Sequence, residues 1–274
     1  MNALTMWEYI TDMERWTLAF TSTLQAAAFL TVSHFMAVAF VMYMDLSGRW
    51  TRYALCQKRP SKTIADYVPG LQSFLMDIVI LFIPTLTLCL YIQANRIFPG
   101  PNDVSIPRDN IVSSSIKLIS GYVLGKIWAF AVHYALHHPT LYKYHKKHHQ
   151  RPADLVASAA WDDSVVEYLV MEMPSFALVF FFFPTTMWWI HLCHFALHGI
   201  DGAVGHSGFS APGFLGAIFD GEYHYYHHAH LMVNYAELEF LDKFFGTHHS
   251  QDKRFVHHMA KTTLNKQKTA AAAA

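Results

Sequence analysis

The sequence predicts an all-α integral membrane protein, built from about four transmembrane helices or helical hairpins with a helical cap on the cytosolic side. Three observations carry this. Charged residues are 15% of the 274-residue chain and hydrophobic residues 53%, whereas a soluble domain carries roughly 25% charged residues. Long apolar runs recur through the first two hundred residues. Of nineteen histidines, all but His34 lie after residue 132, so polar chemistry collects in one part of the chain. Lys+Arg and Asp+Glu both number 20, and no net charge points to nucleic acid.

The runs follow in order. Trp16 to Met44 holds no Asp, Glu, Lys or Arg and exceeds the ~20 residues a helix needs to span a bilayer core. It is too long for a signal-peptide core. The second run, Leu71 to Ala94, has Asp77 near its start and Pro84 inside. The third, about Ile116 to Leu136, contains Lys126. The fourth, Met173 to Ile190, stays apolar to about Ile200, with Pro184 after "FFFF". Basic residues collect after the first run (Arg49, Arg52, Lys58, Arg59, Lys62) and after the third (Lys143, Lys146, Lys147, Arg151), with only Arg96 and Arg108 after the second. By the positive-inside rule the amino terminus is lumenal or external, and the histidine-rich part is cytosolic. Cys56, Cys89 and Cys193 are too scattered for a metal or disulfide framework and read as small buried hydrophobes.

The histidines are patterned. His133 and His137 are spaced i, i+4; His145, His148 and His149 are spaced i, i+3, i+4, and His224, His227 and His228 repeat that spacing. On a helix each set falls on one face. Neutral imidazole is the commonest nitrogen ligand for iron, zinc and copper. Eight imidazoles exceed the four ligands of one tetrahedral site, so two metals are expected. His191, His194 and His198, spaced i, i+3, i+7 on the fourth run, read as ligands or as cavity lining. His206 sits in a Gly-flanked turn, "GHSGF". His138 points off the ligand face, and His230, His248, His249, His257 and His258 default to solvated surface. Topology is then constrained: His149 and His228 must share one side of the membrane. The stretch from Met173 to Ile200 must therefore cross an even number of times, as a hairpin bent at Pro184.

"HYALHHPTLYKYHKKHH", "GHSGFSAPGFL" and "HYYHHAHLMVNYAELEFLDKFFGT" resemble the fatty acid hydroxylase superfamily, which includes sterol desaturases and C4-methyl sterol oxidases. The likeness covers roughly 132–247. It implies a single membrane domain over 1–269, with a transmembrane part to about 132 and a histidine-rich catalytic part over about 133–250; 270–274 is set aside as a tail or tag remnant. It implies a cytosolic di-iron site that activates O2, with His133, His137, His145, His148, His149, His206, His224, His227 and His228 as ligands. It further implies hydroxylation or oxidative demethylation of a sterol or fatty-acyl lipid, or desaturation, and an electron donor such as cytochrome b5 or a ferredoxin. Tyr134 departs from the family's usual Arg, and "WDDSVVE" stands where the family often has His-Pro before a helix-opening Glu.

Metal-bound imidazoles need acceptors on their second ring nitrogen. Glu167, Asp162, Asp163, Asp220, Glu222 and Asp242 are the candidates, with Glu167 and Asp242 favoured. The basic "KYHKKHHQR" stretch could dock an acidic electron carrier, or could only obey the positive-inside rule. Asp77 and Lys126, charged within apolar runs, are functional candidates or snorkel to a helix end. A histidine-rich metal transporter is the rival class, but the motifs gather on one side. A membrane zinc hydrolase would need HExxH, which does not occur. "KQKTA" resembles an endoplasmic reticulum retrieval signal, while a bacterial inner membrane fits the topology equally.

Overall fold

The computed structural model describes residues 13–56, 60–97, 109–151, 154–210 and 221–257. Lys58, Arg59, Arg108, Asp220, His258, "KQKTA" and the 270–274 tail lie outside the described residues. Four helices are long and apolar enough to cross a membrane: α1 (Met13–Ser47), α2 (Ile64–Ile92), α3 (Ile111–Leu136) and α4 (Val165–Phe182). Next come α5 (Trp188–Gly205) and two short cap helices, α6 (Gly221–His230) and α7 (Glu239–Phe245). The chain is an all-helical integral membrane protein. Phe20, Phe29, Val32, Met36 and Phe40 lie exposed along α1, as suits a helix facing hydrocarbon rather than water.

Local chemistry sets the helix starts. The Asp66 carboxylate accepts the Thr63 N–H at 2.8 Å to open α2. The Asn110 side chain accepts from the Ser113 N–H at 2.9 Å to open α3. Pro84 and Pro174 do not break their helices. Each follows a widened π-type turn, Ile78–Phe82 and Tyr168–Glu172. Such a turn absorbs the missing N–H and the ring's clash with the preceding turn.

Pro184 behaves differently. α4 stops at Phe182 and α5 begins at Trp188, so the fourth apolar run is a hairpin of two helices, as the topology required. α5 returns along α1, and glycine lets the two backbones approach closely. A Cβ at Gly199 would stand 2.3 Å from Ser33 Oγ and 2.7 Å from the Leu30 carbonyl oxygen. Gly199→Ala is therefore expected to destabilise the fold by about 1–3 kcal/mol, the usual range for overpacking. A thermal unfolding curve in detergent superimposing on that of the parent chain would refute this contact.

Both lysines of α3 are paired. Lys126, buried on α3, binds Asp201 of α5 and Glu237 of the cap. It does not snorkel. A second lysine on α3, Lys117, pairs with Asp109 at 2.5 Å and Thr185 at 2.9 Å at the hairpin end. Asp77 is half-buried, with Asp163 and Lys147 as charged neighbours.

Candidate metal centre

All nine histidines singled out from the sequence meet at one end of the bundle, in two adjoining groups. His133, His137, His145, His149 and His227 form the first; His148, His206, His224 and His228 form the second. In the first, His149 Nε2 stands 2.8 Å from His145 Nε2 and 3.2 Å from the Nε2 atoms of His137 and His227. In the second, the His148–His206, His206–His224 and His224–His228 Nε2 separations are 3.2, 3.1 and 2.9 Å.

The spacing of the motifs suggested one face per motif. The structure corrects this: each HxxHH motif divides between the groups. His145 and His149 go to the first and His148 to the second, while His224 and His228 go to the second and His227 to the first. Successive helical residues turn by about 100°. Positions i and i+4 therefore stay nearly aligned, while i+3 lies about 100° from i+4. Each motif thus gives an aligned pair to one group and its middle histidine to the other.

The outer ring nitrogens explain the inward aim. His133 Nδ1 donates to the Tyr235 carbonyl at 2.6 Å and His227 Nδ1 to the Val233 carbonyl at 2.8 Å. His206 Nδ1 donates to the Gly202 carbonyl at 3.0 Å. His145 Nδ1 meets Glu167 Oε1 at 2.5 Å, and His148 Nδ1 meets Asp163 Oδ1 at 3.0 Å. With the proton on Nδ1, each of these rings presents a bare lone pair on Nε2. Burial also keeps the imidazoles neutral: it lowers His148 to about 4, His206 to about 3 and His137 to about 2. It lowers His145, His149, His224, His227 and His228 as well. Lone pairs converging at 2.8–3.2 Å repel unless a cation sits among them. Metal–imidazole bonds of about 2.1 Å at right angles place neighbouring nitrogens about 3.0 Å apart. The donor set therefore fits two metal ions.

Of the five candidate acceptors among the described residues, Glu167 and Asp163 touch the histidines. Ser164 places Glu167, its Oγ accepting the Glu167 N–H at 3.1 Å in the first turn of α4. Asp163, not favoured from sequence, has a partner fifteen residues upstream that only the tertiary fold brings near. Asp242 touches none of the nine histidines. It accepts from Tyr223 Oη, Thr247 Oγ1 and the Tyr235 and Ala236 N–H groups at 2.5–3.0 Å, fixing the loop whose carbonyl holds His133. Asp162 pairs with Lys147 at 2.7 Å, and Glu222 is exposed. Glu167→Gln replaces the carboxyl partner of His145 Nδ1 with an amide, and metal affinity is expected to fall about 10–100-fold. Retention of metal through dialysis against chelator, equal to that of the parent chain, would count against this role.

The second histidine set does not join the centre. His191, His194 and His198 are buried on α5, ringed by Phe180, Phe176 and Tyr122. Only His198 lines the cavity beside the metal groups, with Ala129, Phe130, Trp161 and Met171. His138 is exposed and bonds Thr140 Oγ1 at 2.8 Å. Two expected surface histidines have partners: His248 is buried against Glu239 at 3.0 Å, and His249 donates its backbone N–H to Asn234 Oδ1 at 2.9 Å.

The family model described as "Fatty acid hydroxylase" matches residues 118–247, a stretch that contains all nine histidines. A relative, Fatty acid hydroxylase ahd1 of Mycosarcoma maydis, is 25% identical over 250 residues, 88% of this chain and 61% of that protein. The chain thus spans less than two thirds of that relative's length. No solved structure matches the chain. Together the family match, this relative and the paired histidine groups support membership of the fatty acid hydroxylase superfamily.

Proposed function

We propose that the chain is an O2-dependent di-iron oxidoreductase that hydroxylates a C–H bond of a sterol or fatty-acyl lipid, oxidative demethylation included. One observation carries the reading: nine imidazoles converge as two adjoining ligand groups beside a cavity lined by membrane helices. The overall balance is R–H + O2 + 2e⁻ + 2H⁺ → R–OH + H2O. Iron held by the nine Nε2 atoms would supply the oxidising power that an inert C–H bond demands.

The chain's own residues do the rest. Glu167 and Asp163 hold the Nδ1 protons of His145 and His148, which fixes tautomer and ring orientation. Phe130, Trp161 and Met171 give the cavity apolar walls suited to a hydrocarbon chain and hostile to bulk water. Lys126, neutralised by Asp201 and Glu237, adds a polar edge. Electrons come from an external one-electron carrier of the cytochrome b5 or ferredoxin type, met by the exposed Lys143 and Lys146. A cytosolic centre in the endoplasmic reticulum membrane completes the proposal.

The test is metal analysis of protein in lipid nanodiscs, followed by turnover with reductant and isotopically labelled O2. Two irons per chain and one labelled oxygen in a lipid product are expected. Zinc in the sample as first purified would not decide the matter, because imidazole sites take zinc readily. Iron-loaded protein that neither consumes O2 nor labels any lipid would refute the reading.

A further inference from the structure

α7 presents aromatic rings that the described residues leave largely exposed. Phe240, Phe244 and Phe245 are 55%, 80% and 59% exposed on a helix of seven residues. At about 100° per residue, these three and Leu241 share one arc, while Glu239, Asp242 and Lys243 share the other. Glu239 and Lys243 pair at 2.8 Å on that polar arc. The helix is amphipathic: Leu241 packs inward against Phe130 and Tyr235, while the three phenylalanine rings of the same arc stand outward.

Its level in the bundle shows what that arc meets. The Phe245 ring lies 5.1 Å from the ring of Phe130 on α3. Phe130 is six residues before the end of that helix, about 9 Å down its shaft. The 26 residues of α3 run about 39 Å, against a hydrocarbon core of about 30 Å. A point 9 Å from the end therefore sits just inside the hydrocarbon edge. Trp128 and Tyr134 are exposed on the same stretch of α3, the side-chain types that collect at a membrane interface. α7 thus continues the lipid-facing surface of α3 instead of standing in water above it.

We propose that α7 is an interfacial helix whose Phe240, Phe244 and Phe245 insert into the headgroup–acyl boundary of the bilayer beside α3. Phe130 both contacts Phe245 and lines the cavity, so the inserted helix borders one wall of the cavity. Its opposite arc carries Asp242, which holds the loop that positions His133. Bilayer contact and metal-ligand placement thus share one short rigid element. Insertion itself does not depend on the oxygenase reading.

The test is spin-label accessibility on full-length chain in phospholipid nanodiscs. Labels go at Phe244→Cys, at Phe29→Cys on the lipid-facing side of α1, and at Lys253→Cys in the exposed cap. Background from Cys56, Cys89 and Cys193 is recorded on the unsubstituted chain and subtracted. Position 244 is expected to collide with dissolved O2 several-fold more than with a water-soluble nickel chelate, as position 29 does and position 253 does not. Chelate access at 244 equal to that at 253 would overturn insertion. Exclusion of both reagents would also overturn it, because it would mean that another protein surface covers the face. If Phe244→Cys does not yield folded protein, Phe240→Cys, one turn earlier on the same arc, decides by the same comparison.

Discussion

His148→Ala and His149→Ala, neighbours in the chain, will each cost a metal ion, but from different positions. His149 belongs to the five-histidine group and His148 to the four-histidine group. Losing one ligand leaves four imidazoles in the first case and three in the second. His148→Ala is therefore expected to empty its position more completely than His149→Ala. Lipid oxidation should fall at least about 100-fold for His148→Ala and His149→Ala, because orienting partners one step removed from a metal already cost about 10–100-fold. Pairing the variants separates the groups. His149→Ala with His227→Ala should lose little more metal than either alone, since both act on one ion. His148→Ala with His149→Ala should lose both ions. Metal counting by mass spectrometry, with X-ray absorption to count the remaining nitrogens, reads the outcome. Equal, additive losses for every pair would show that the two groups do not act as separate positions.

That division also marks where sequence reading stops. The spacings in "HYALHHPTLYKYHKKHH" and "HYYHH" reveal eight candidate ligands, because imidazoles at i and i+4 share a face in any helix; His206 came only with the family resemblance. They do not reveal the exchange of middle histidines, which depends on how the segment 145–149 and α6 lie against each other. Pro184 was legible as a bend because His149 and His228 must share one side of the membrane, so the run around it must cross an even number of times. Pro84, equally visible, leaves its helix continuous because the π turn before it absorbs the missing hydrogen bond. Glu167 was legible at a helix opening. Asp163 was not, since its partner is chosen by tertiary packing. The lipid-facing arc of α7 was hidden for the same reason: seven residues of "EFLDKFF" carry no sign of their depth beside α3.

Asp242 tests how far the centre depends on its scaffold. Both carboxylate oxygens are fully used: Oδ1 accepts from the Tyr235 N–H and Thr247 Oγ1, Oδ2 from the Ala236 N–H and Tyr223 Oη. Asp242→Ala strands four buried donors. An unsatisfied buried donor costs about 1–3 kcal/mol, and entering water would relieve part of that, so a loss of about 3–5 kcal/mol in stability is expected. Asp242→Asn should be nearly as harmful despite its shape. Whichever oxygen becomes the amide nitrogen, it faces one backbone N–H, and a backbone donor cannot rotate away as a hydroxyl can. The damage should then reach the metals by a defined route. Tyr235 supplies the carbonyl that holds His133 Nδ1, so the five-histidine group should lose its ion before the four-histidine group does. Thermal unfolding in detergent and metal content after mild chelation measure the two effects separately. If Asp242→Asn matched the parent chain in both, the carboxylate would not be the clamp of this loop, and the placement of His133 would have to rest on α3 alone.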